Sequence, residues 1–141
     1  MLPMDGSHKS ILVVDDEVTM VHLCKLVFRE AGYEVRGATS GRQALRMVLE
    51  EMPDVILLDV MMPGMDGIEV CRRIRQQTER IPKIIMYTAD DRDSTRTNSL
   101  AAGANHFLTK RIPIFELPDK IRGFLAAGTG PLAYAAPAIN L

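Results

Sequence analysis

The chain has 141 residues, of which 47% are apolar and 25% are charged, and its net charge at pH 7 is -1. This length fits one domain, and the composition is that of a globular protein, which excludes a mainly disordered or membrane-embedded chain. The nearly balanced charge predicts no broad positive surface, so we expect no direct nucleic-acid binding.

Neither a membrane segment nor an export signal is apparent. No apolar run approaches the roughly 20 residues that a membrane-spanning helix needs, and the N-terminus lacks a basic stretch followed by a hydrophobic core. Cys24 and Cys71 each lie in an apolar helical pattern, as expected of buried free thiols. We therefore expect a reduced, cytoplasmic protein that does not interact with membranes.

Short apolar runs alternate with helical patterns along most of the chain. In chain order, we predict a strand at Ile11–Val14, a helix at Val18–Ala31, a strand at Tyr33–Ala38, a helix between the cap Thr39 or Ser40 and Pro53, a strand at Val55–Leu58, a helix at Gly67–Gln77, a strand at Ile81–Thr88, a weaker helix at Ser94–Ala102, a strand at Asn105–Leu108 and a last helix ending at Ala127. Such alternation predicts a parallel sheet covered by helices on both faces, because parallel neighbours need crossover connections.

The predicted domain occupies residues 10–127. Residues 1–9 show no periodicity and are predicted to be disordered or an expression remnant. Residues 128–141 are rich in Gly, Ala and Pro and are predicted to be a tail or linker.

Charged and polar residues gather where the predicted strands end. Asp15 and Asp16 follow the first strand, Asp59 follows the third, Thr88 ends the fourth and Lys110 follows the fifth. Ligands of open parallel sheets bind beyond these carboxyl ends. Clustered carboxylates repel one another unless a cation neutralises them, and hard oxygen donors suit Mg²⁺. A lysine and a hydroxyl beside them suit the oxygens of a transferring phosphoryl group.

Four motifs carry these residues: ILVVDDE, VILLDVMMPGMDG, IIMYTA and GANHFLTK. In this order, they resemble the response-regulator receiver family of two-component signalling, including the chemotaxis regulators, over about Ser10–Ala127. The resemblance implies a single flavodoxin-like, doubly wound α/β domain with five helices and a five-stranded parallel sheet in the order 2-1-3-4-5.

The resemblance also implies roles for individual residues. Asp59 matches the phosphoacceptor, Lys110 the lysine that pairs with the phosphoryl oxygens, and Thr88 the hydroxyl that moves to meet them. Phe107 matches the aromatic residue whose rotamer follows that movement. The expected output is a shift between two surface states.

Metal binding and the lifetime of the phosphorylated state involve further residues. The resemblance implies that Asp16, Asp59 and the backbone carbonyl of Met61 bind Mg²⁺ directly, while Asp15 acts mainly through a bound water. Met61 and Asp90 flank the site, and we hypothesise that apolar Met61 hinders water while Asp90 orients it.

The resemblance implies a signalling module that catalyses only its own phosphorylation and dephosphorylation. The implied phosphodonor is a histidine kinase or histidine phosphotransfer protein, and the output is a downstream protein or a fused output domain, with homodimerisation left open. One alternative is an aspartate-nucleophile phosphatase or phosphotransferase, but its acid-base aspartate is missing where Met61 stands. The other is an inactive receiver-like scaffold.

Two positions depart from the family pattern. Arg111 stands where proline usually follows the lysine, and because a non-proline cis bond costs roughly 3 to 4 kcal/mol, we predict a trans bond between Lys110 and Arg111. Pro118 falls where the last helix of the family is already under way, so we expect this helix to begin near Pro118.

Overall fold

A parallel sheet built from the apolar runs organises residues 9–78 and 81–127, the part of the chain that the computed structural model describes. The elements in chain order are β1 (Ser10–Val14), α1 (Val18–Glu30), β2 (Glu34–Ala38), α2 (Gly41–Glu50), β3 (Val55–Leu58), α3 (Gly67–Gln77), β4 (Lys83–Thr88), α4 (Asp93–Ala101), β5 (His106–Thr109), a 3₁₀ turn at Ile114–Glu116 and α5 (Leu117–Ala126). The strand order is β2-β1-β3-β4-β5, and all four strand pairs are parallel. The predicted doubly wound α/β fold is therefore confirmed.

Strand β3 and, after Ser10, strand β1 are apolar at every position because both faces of the sheet are covered. Successive side chains of a strand point to opposite faces. Leu12 and Ile56 pack in one core cluster with Val70 of α3, whereas Ile11 and Leu57 pack in the other. The second cluster also contains buried residues of α1 and α5, namely Val21, Cys24, Phe28, Leu117 and Ile121.

Backbone hydrogen bonds hold the residues just beyond the strands in place. The N–H of Asp15 donates to Ala38 O (3.1 Å), and the N–H of Asp59 donates to Val14 O (3.0 Å). The N–H of Lys110 donates to Thr88 O (2.9 Å). These bonds continue the strand ladder past the last strand residues, so they fix where the charged side chains emerge.

Both predicted departures from the family pattern are confirmed. The bond between Lys110 and Arg111 is trans. Helix α5 begins at Leu117 with Pro118 in its first turn, directly after the 3₁₀ turn Ile114–Glu116. Proline is tolerated there because first-turn N–H groups have no partner within the helix.

Most predicted boundaries lie within one or two residues of the observed ones. Strand β4 begins at Lys83 instead of Ile81, since the intervening Pro82 has no N–H to donate to a strand ladder. The predicted terminal segments lie outside the described residues, except for Lys9. Within the described ranges, the helices are too short or too polar to cross a membrane.

The start of α3 requires a glycine next to the acidic cluster. A Cβ added at Gly67 would lie 2.1 Å from the carbonyl oxygen of Asp59, whereas one added at Gly123 of α5 would meet no heavy atom within 4 Å. We expect Gly67→Ala to lower the free energy of unfolding by about 1 to 3 kcal/mol or more, because backbone must move to accommodate the methyl group. The measurement is the denaturant midpoint in urea.

Gly123→Ala is the matched control. It should raise the free energy of unfolding by about 0.5 to 1 kcal/mol, because alanine favours the helix interior. Equal midpoints for the two variants would contradict the close packing at Gly67.

Candidate functional site

Three aspartates meet at the carboxyl edge of the sheet. One ligand atom from each of Asp15, Asp16 and Asp59 can be chosen so that all lie within 4.8 Å of one another. Asp15 and Asp59 are only 3% and 5% exposed, whereas Asp16 is exposed. The fold brings them together because β1 and β3 are adjacent and parallel, so both strands end at this edge.

Lys110 connects the two buried carboxylates. Its Nζ donates to Asp15 Oδ2 (2.7 Å) and to Asp59 Oδ2 (3.2 Å). Burial alone lowers the pKa of Lys110, but its hydrogen bond to Asp15 and the charge of Asp59 outweigh this, so the net pKa lies above its ordinary value. The ammonium group is therefore held in its charged form between two acceptors.

The Asp59 carboxylate is enclosed by donors on several sides. Its Oδ1 accepts the N–H of Met61 (3.2 Å), and its Oδ2 accepts Nζ of Lys110 (3.2 Å). Burial raises the pKa of Asp59 above its ordinary value, the charge of Lys110 opposes this rise, and the charge of Asp15 adds to it. A carboxylate in this environment is costly to keep ionised without a further positive charge.

The donor set fits a hard divalent cation. Three carboxylates meet with one ammonium group between two of them, leaving excess negative charge. Oxygen ligands with an exposed side suit Mg²⁺, which keeps several waters in protein sites. Met61 is 56% exposed, and its N–H faces Asp59; the role of its carbonyl stays a prediction.

Asp90 lies near this cluster but directs its carboxylate toward α4. Its Oδ1 accepts the backbone N–H and Nε of Arg92 (3.1 and 2.9 Å), and its Oδ2 accepts Nη2 of Arg92 (2.6 Å) and Oγ1 of Thr95 (2.7 Å). The hydrogen bonds from Arg92 and Thr95 hold the pKa of Asp90 well below its usual range. The N–H of Asp90 donates to Thr88 Oγ1 (3.3 Å).

Phe107 is nearly buried beneath Arg96 of α4. It is 7% exposed and pairs with Met86 in the β4–β5 register, two residues before Thr88, so alternation puts all three side chains on one face. The guanidinium carbon of Arg96 lies 4.8 Å from the centroid of its ring. The aromatic residue is thus covered by α4.

Sequence reasoning missed the contacts of α4. Arg92, Thr95 and Arg96 lie in a polar segment that the periodicity marks only as a weak helix. The one local signal is Asp90 two residues before Arg92, because Asp side chains often accept the N–H two residues on. Arg111, where proline is usual, pairs with Asp91 across the surface (2.7 Å).

Comparison with known proteins decides the family. Residues 11–122 match the family model described as response regulator receiver domain. The chain belongs to this family. Over 118 residues, this receiver domain is 41% identical to the alkaline phosphatase synthesis transcriptional regulatory protein PhoP of Bacillus subtilis, a match that covers 84% of the chain and 49% of PhoP. The chain therefore spans about half the length of this curated relative.

Solved structures agree with this assignment. A CheY-like receiver domain protein of Methanospirillum hungatei is 29% identical with a TM-score of 0.80, and 86% of this chain and 96% of that chain are covered. Chemotaxis protein CheY4 of Vibrio cholerae is 30% identical with a TM-score of 0.77, and 82% and 98% are covered. The receiver domain is thus a two-component signalling domain with a CheY-like fold, and the phosphatase alternative is not favoured.

The charges at the receiver site predict that the stability of the metal-free protein depends on Lys110. Lys110→Met is expected to destabilise the metal-free protein by about 1 to 3 kcal/mol, because it leaves two buried carboxylates without their cation. Adding Asp59→Asn to Lys110→Met should recover part of this loss, since one of the unpaired charges is removed. Denaturant unfolding in EDTA measures both effects.

Lys120→Met is the control because Lys120 is exposed on α5. It should shift the midpoint little. If Lys110→Met behaves like Lys120→Met, the buried charge pairing does not contribute to stability.

Proposed function

We propose that Asp59 is the phosphoacceptor of this receiver domain and that a histidine kinase or histidine phosphotransfer protein supplies the phosphoryl group. The observation that supports this most directly is the position of Asp59: it is nearly buried, 3.2 Å from the Lys110 ammonium nitrogen, and within a cluster of three carboxylates. An enclosed carboxylate with an adjacent cation suits attack on phosphorus, and aspartyl phosphates are established covalent intermediates.

The neighbouring side chains have complementary roles in this proposal. An Asp59 oxygen forms the new bond to phosphorus as the bond to the donor breaks. Lys110 then pairs with a phosphoryl oxygen, and the Thr88 hydroxyl donates a hydrogen bond to another. Phe107 follows Thr88, with which it shares a face of the sheet.

A divalent cation, Mg²⁺, completes the proposed site. Asp16, Asp59 and the carbonyl of Met61 would hold it directly, and Asp15 through a water. When bound, it neutralises the charge that the carboxylates and phosphoryl oxygens bring together. Asp15 is suited to an indirect role because its Oδ2 already accepts Lys110 and its Oδ1 accepts the N–H of Glu17 (2.9 Å).

The partners proposed for the domain rest on its membership of a signalling family, because the geometry of the acidic cluster does not identify them. PhoP is described as a transcriptional regulatory protein, and this chain matches about half of it. We therefore propose that phosphorylation changes affinity for a downstream protein, a fused output domain or a second copy of the chain. The chain itself is not proposed to contact nucleic acid, since its net charge is -1.

The direct test is phosphorylation with a small donor. Incubation with acetyl phosphate and Mg²⁺ should give one phosphoryl adduct per chain by mass spectrometry, and the adduct should be lost in EDTA. Asp59→Asn should carry none. Asp93→Asn, which removes an exposed aspartate of α4, should be modified like the wild type.

Two other results would favour the alternatives. Rapid multiple turnover of acetyl phosphate would indicate a phosphatase or phosphotransferase. Absence of the adduct in the wild type would indicate an inactive scaffold.

We further propose that Met61 and Asp90 control the lifetime of the phosphorylated state. Both residues line a cavity between the loop after β3 and the start of α4. The exposed Met61 side chain would hinder water, while Asp90 would act on water from the position fixed by Arg92 and Thr95.

The decay of the phosphorylated protein tests this pair. Met61→Asn is expected to accelerate decay several-fold because a polar side chain admits water, and Asp90→Ala is expected to slow it. Loss of the phosphoryl group is followed by mass spectrometry after the donor is removed. Met52→Asn, at another exposed methionine, is the control variant. Unchanged decay rates in both Met61→Asn and Asp90→Ala would show that these residues do not set the lifetime of the phosphorylated state.

A further inference from the structure

A continuous series of hydrogen bonds leads from Thr88, at the end of β4, into α4. Thr88 Oγ1 accepts the N–H of Asp90 at 3.3 Å. The Asp90 carboxylate in turn accepts Thr95 Oγ1 at 2.7 Å and the backbone N–H of Arg92 at 3.1 Å. Every link in this series is a side chain or amide of the described structure.

Asp90, the central residue of this series, is held in place by several hydrogen bonds. The side chain of Asp90 is 6% exposed, and its two oxygens accept four hydrogen bonds from Arg92 and Thr95. Hydrogen bonds to a charged group are stronger than neutral ones. Asp90 therefore cannot follow a movement of Thr88, two residues away, without disturbing Thr95.

Helix α4 buries only small polar side chains of its own. Its buried residues are Thr95 and Ser99, both polar, and Ser99 Oγ has no hydrogen-bond partner among the described residues. Helices of globular proteins are normally held by an apolar face, and burying an unpaired hydroxyl costs free energy. The C-terminal end of α4 is held by Cys71 of α3, whose Sγ donates to Ala102 O, so the Thr95 contact acts mainly on the first turn of the helix.

Arg96, the residue after Thr95, connects α4 to Phe107. Arg96 lies over the ring of Phe107 at 4.8 Å from its centroid. A guanidinium group at this distance interacts favourably with an aromatic face. A displacement at Thr95 therefore reaches the surface around Phe107 as well.

We propose that Asp90 is a positioning residue that couples Thr88 to α4 through the Thr95 hydroxyl, so that phosphorylation repositions the first turn of α4. This rests on the proposed phosphorylation of Asp59. When the Thr88 hydroxyl donates to a phosphoryl oxygen, it still accepts the Asp90 N–H, because a hydroxyl can donate and accept at once. The displacement passes through Asp90 to Thr95 and the start of α4.

Substitutions at Thr95 separate the hydrogen bond from packing. Thr95→Val keeps the side-chain shape but removes the hydroxyl, whereas Thr95→Ser keeps the hydroxyl and removes a methyl group. Thr97→Val makes the first of these changes at an exposed position of the same helix and is the control. Thr95 makes no described hydrogen bond to Asp15, Asp16, Asp59 or Lys110, so all three variants should still be phosphorylated at Asp59.

The readout is the response of backbone amide NMR signals to beryllofluoride and Mg²⁺, a stable mimic of the phosphoryl group. In wild type, Thr97→Val and Thr95→Ser, the amides around Asp59 and those of α4 should both shift. In Thr95→Val, the amides around Asp59 should shift while most of the α4 response is lost. The α4 amides of Thr95→Val should also exchange with solvent about tenfold or more faster before the mimic is added, because a hydrogen bond to a charged group is missing.

Two results would overturn the coupling. One is an α4 response in Thr95→Val equal to that of Thr97→Val. The other is a defect in Thr95→Ser as large as in Thr95→Val, which would indicate packing instead of the hydroxyl. A wild-type protein with no response around Asp59 would instead show that the proposed function fails, and the coupling with it.

Discussion

Two nearly buried carboxylates that share one ammonium group are the constraint on which the rest of the structure depends. Asp15 and Asp59 both contact Lys110, and Asp16 adds a third negative charge at the exposed side. Burying charge is unfavourable unless it is paired, and here the pairing is incomplete. The site therefore favours positive charge from outside, which is the property that a cation-assisted phosphoryl acceptor needs.

The packing of the apolar strands holds the carboxylates in place against their mutual repulsion. Strands β1 and β3 are buried on both faces, and backbone hydrogen bonds continue one residue past their ends to Asp15 and Asp59. Rigid packing on both faces prevents the carboxylates from moving apart to relieve their repulsion. The close approach of Gly67 to the Asp59 carbonyl also limits movement, because it fixes the loop that follows Asp59.

Helix α4 contrasts with this rigidity. It is joined to Thr88 through Asp90 and Thr95 and covers Phe107 through Arg96, yet its buried residues are polar. An element held by a few polar contacts can change position at lower cost than one held by an apolar core. The molecule therefore combines a fixed charge cluster with a neighbouring helix whose placement a few hydrogen bonds can bias.

The sequence by itself determined the order of strands and helices, the gathering of Asp15, Asp59 and Lys110 at one edge, and the late start of α5 at Pro118. These follow from local rules: apolar runs form buried strands, parallel strands end at a common edge, and proline is excluded from helix interiors. Only the tertiary structure decided which side chains pair. Lys110 and Asp15 are 95 residues apart, and the carboxylate of Asp90 bonds to Arg92 and Thr95. Partner choice depends on distances of a few ångströms between separate elements, which periodicity along the chain does not encode.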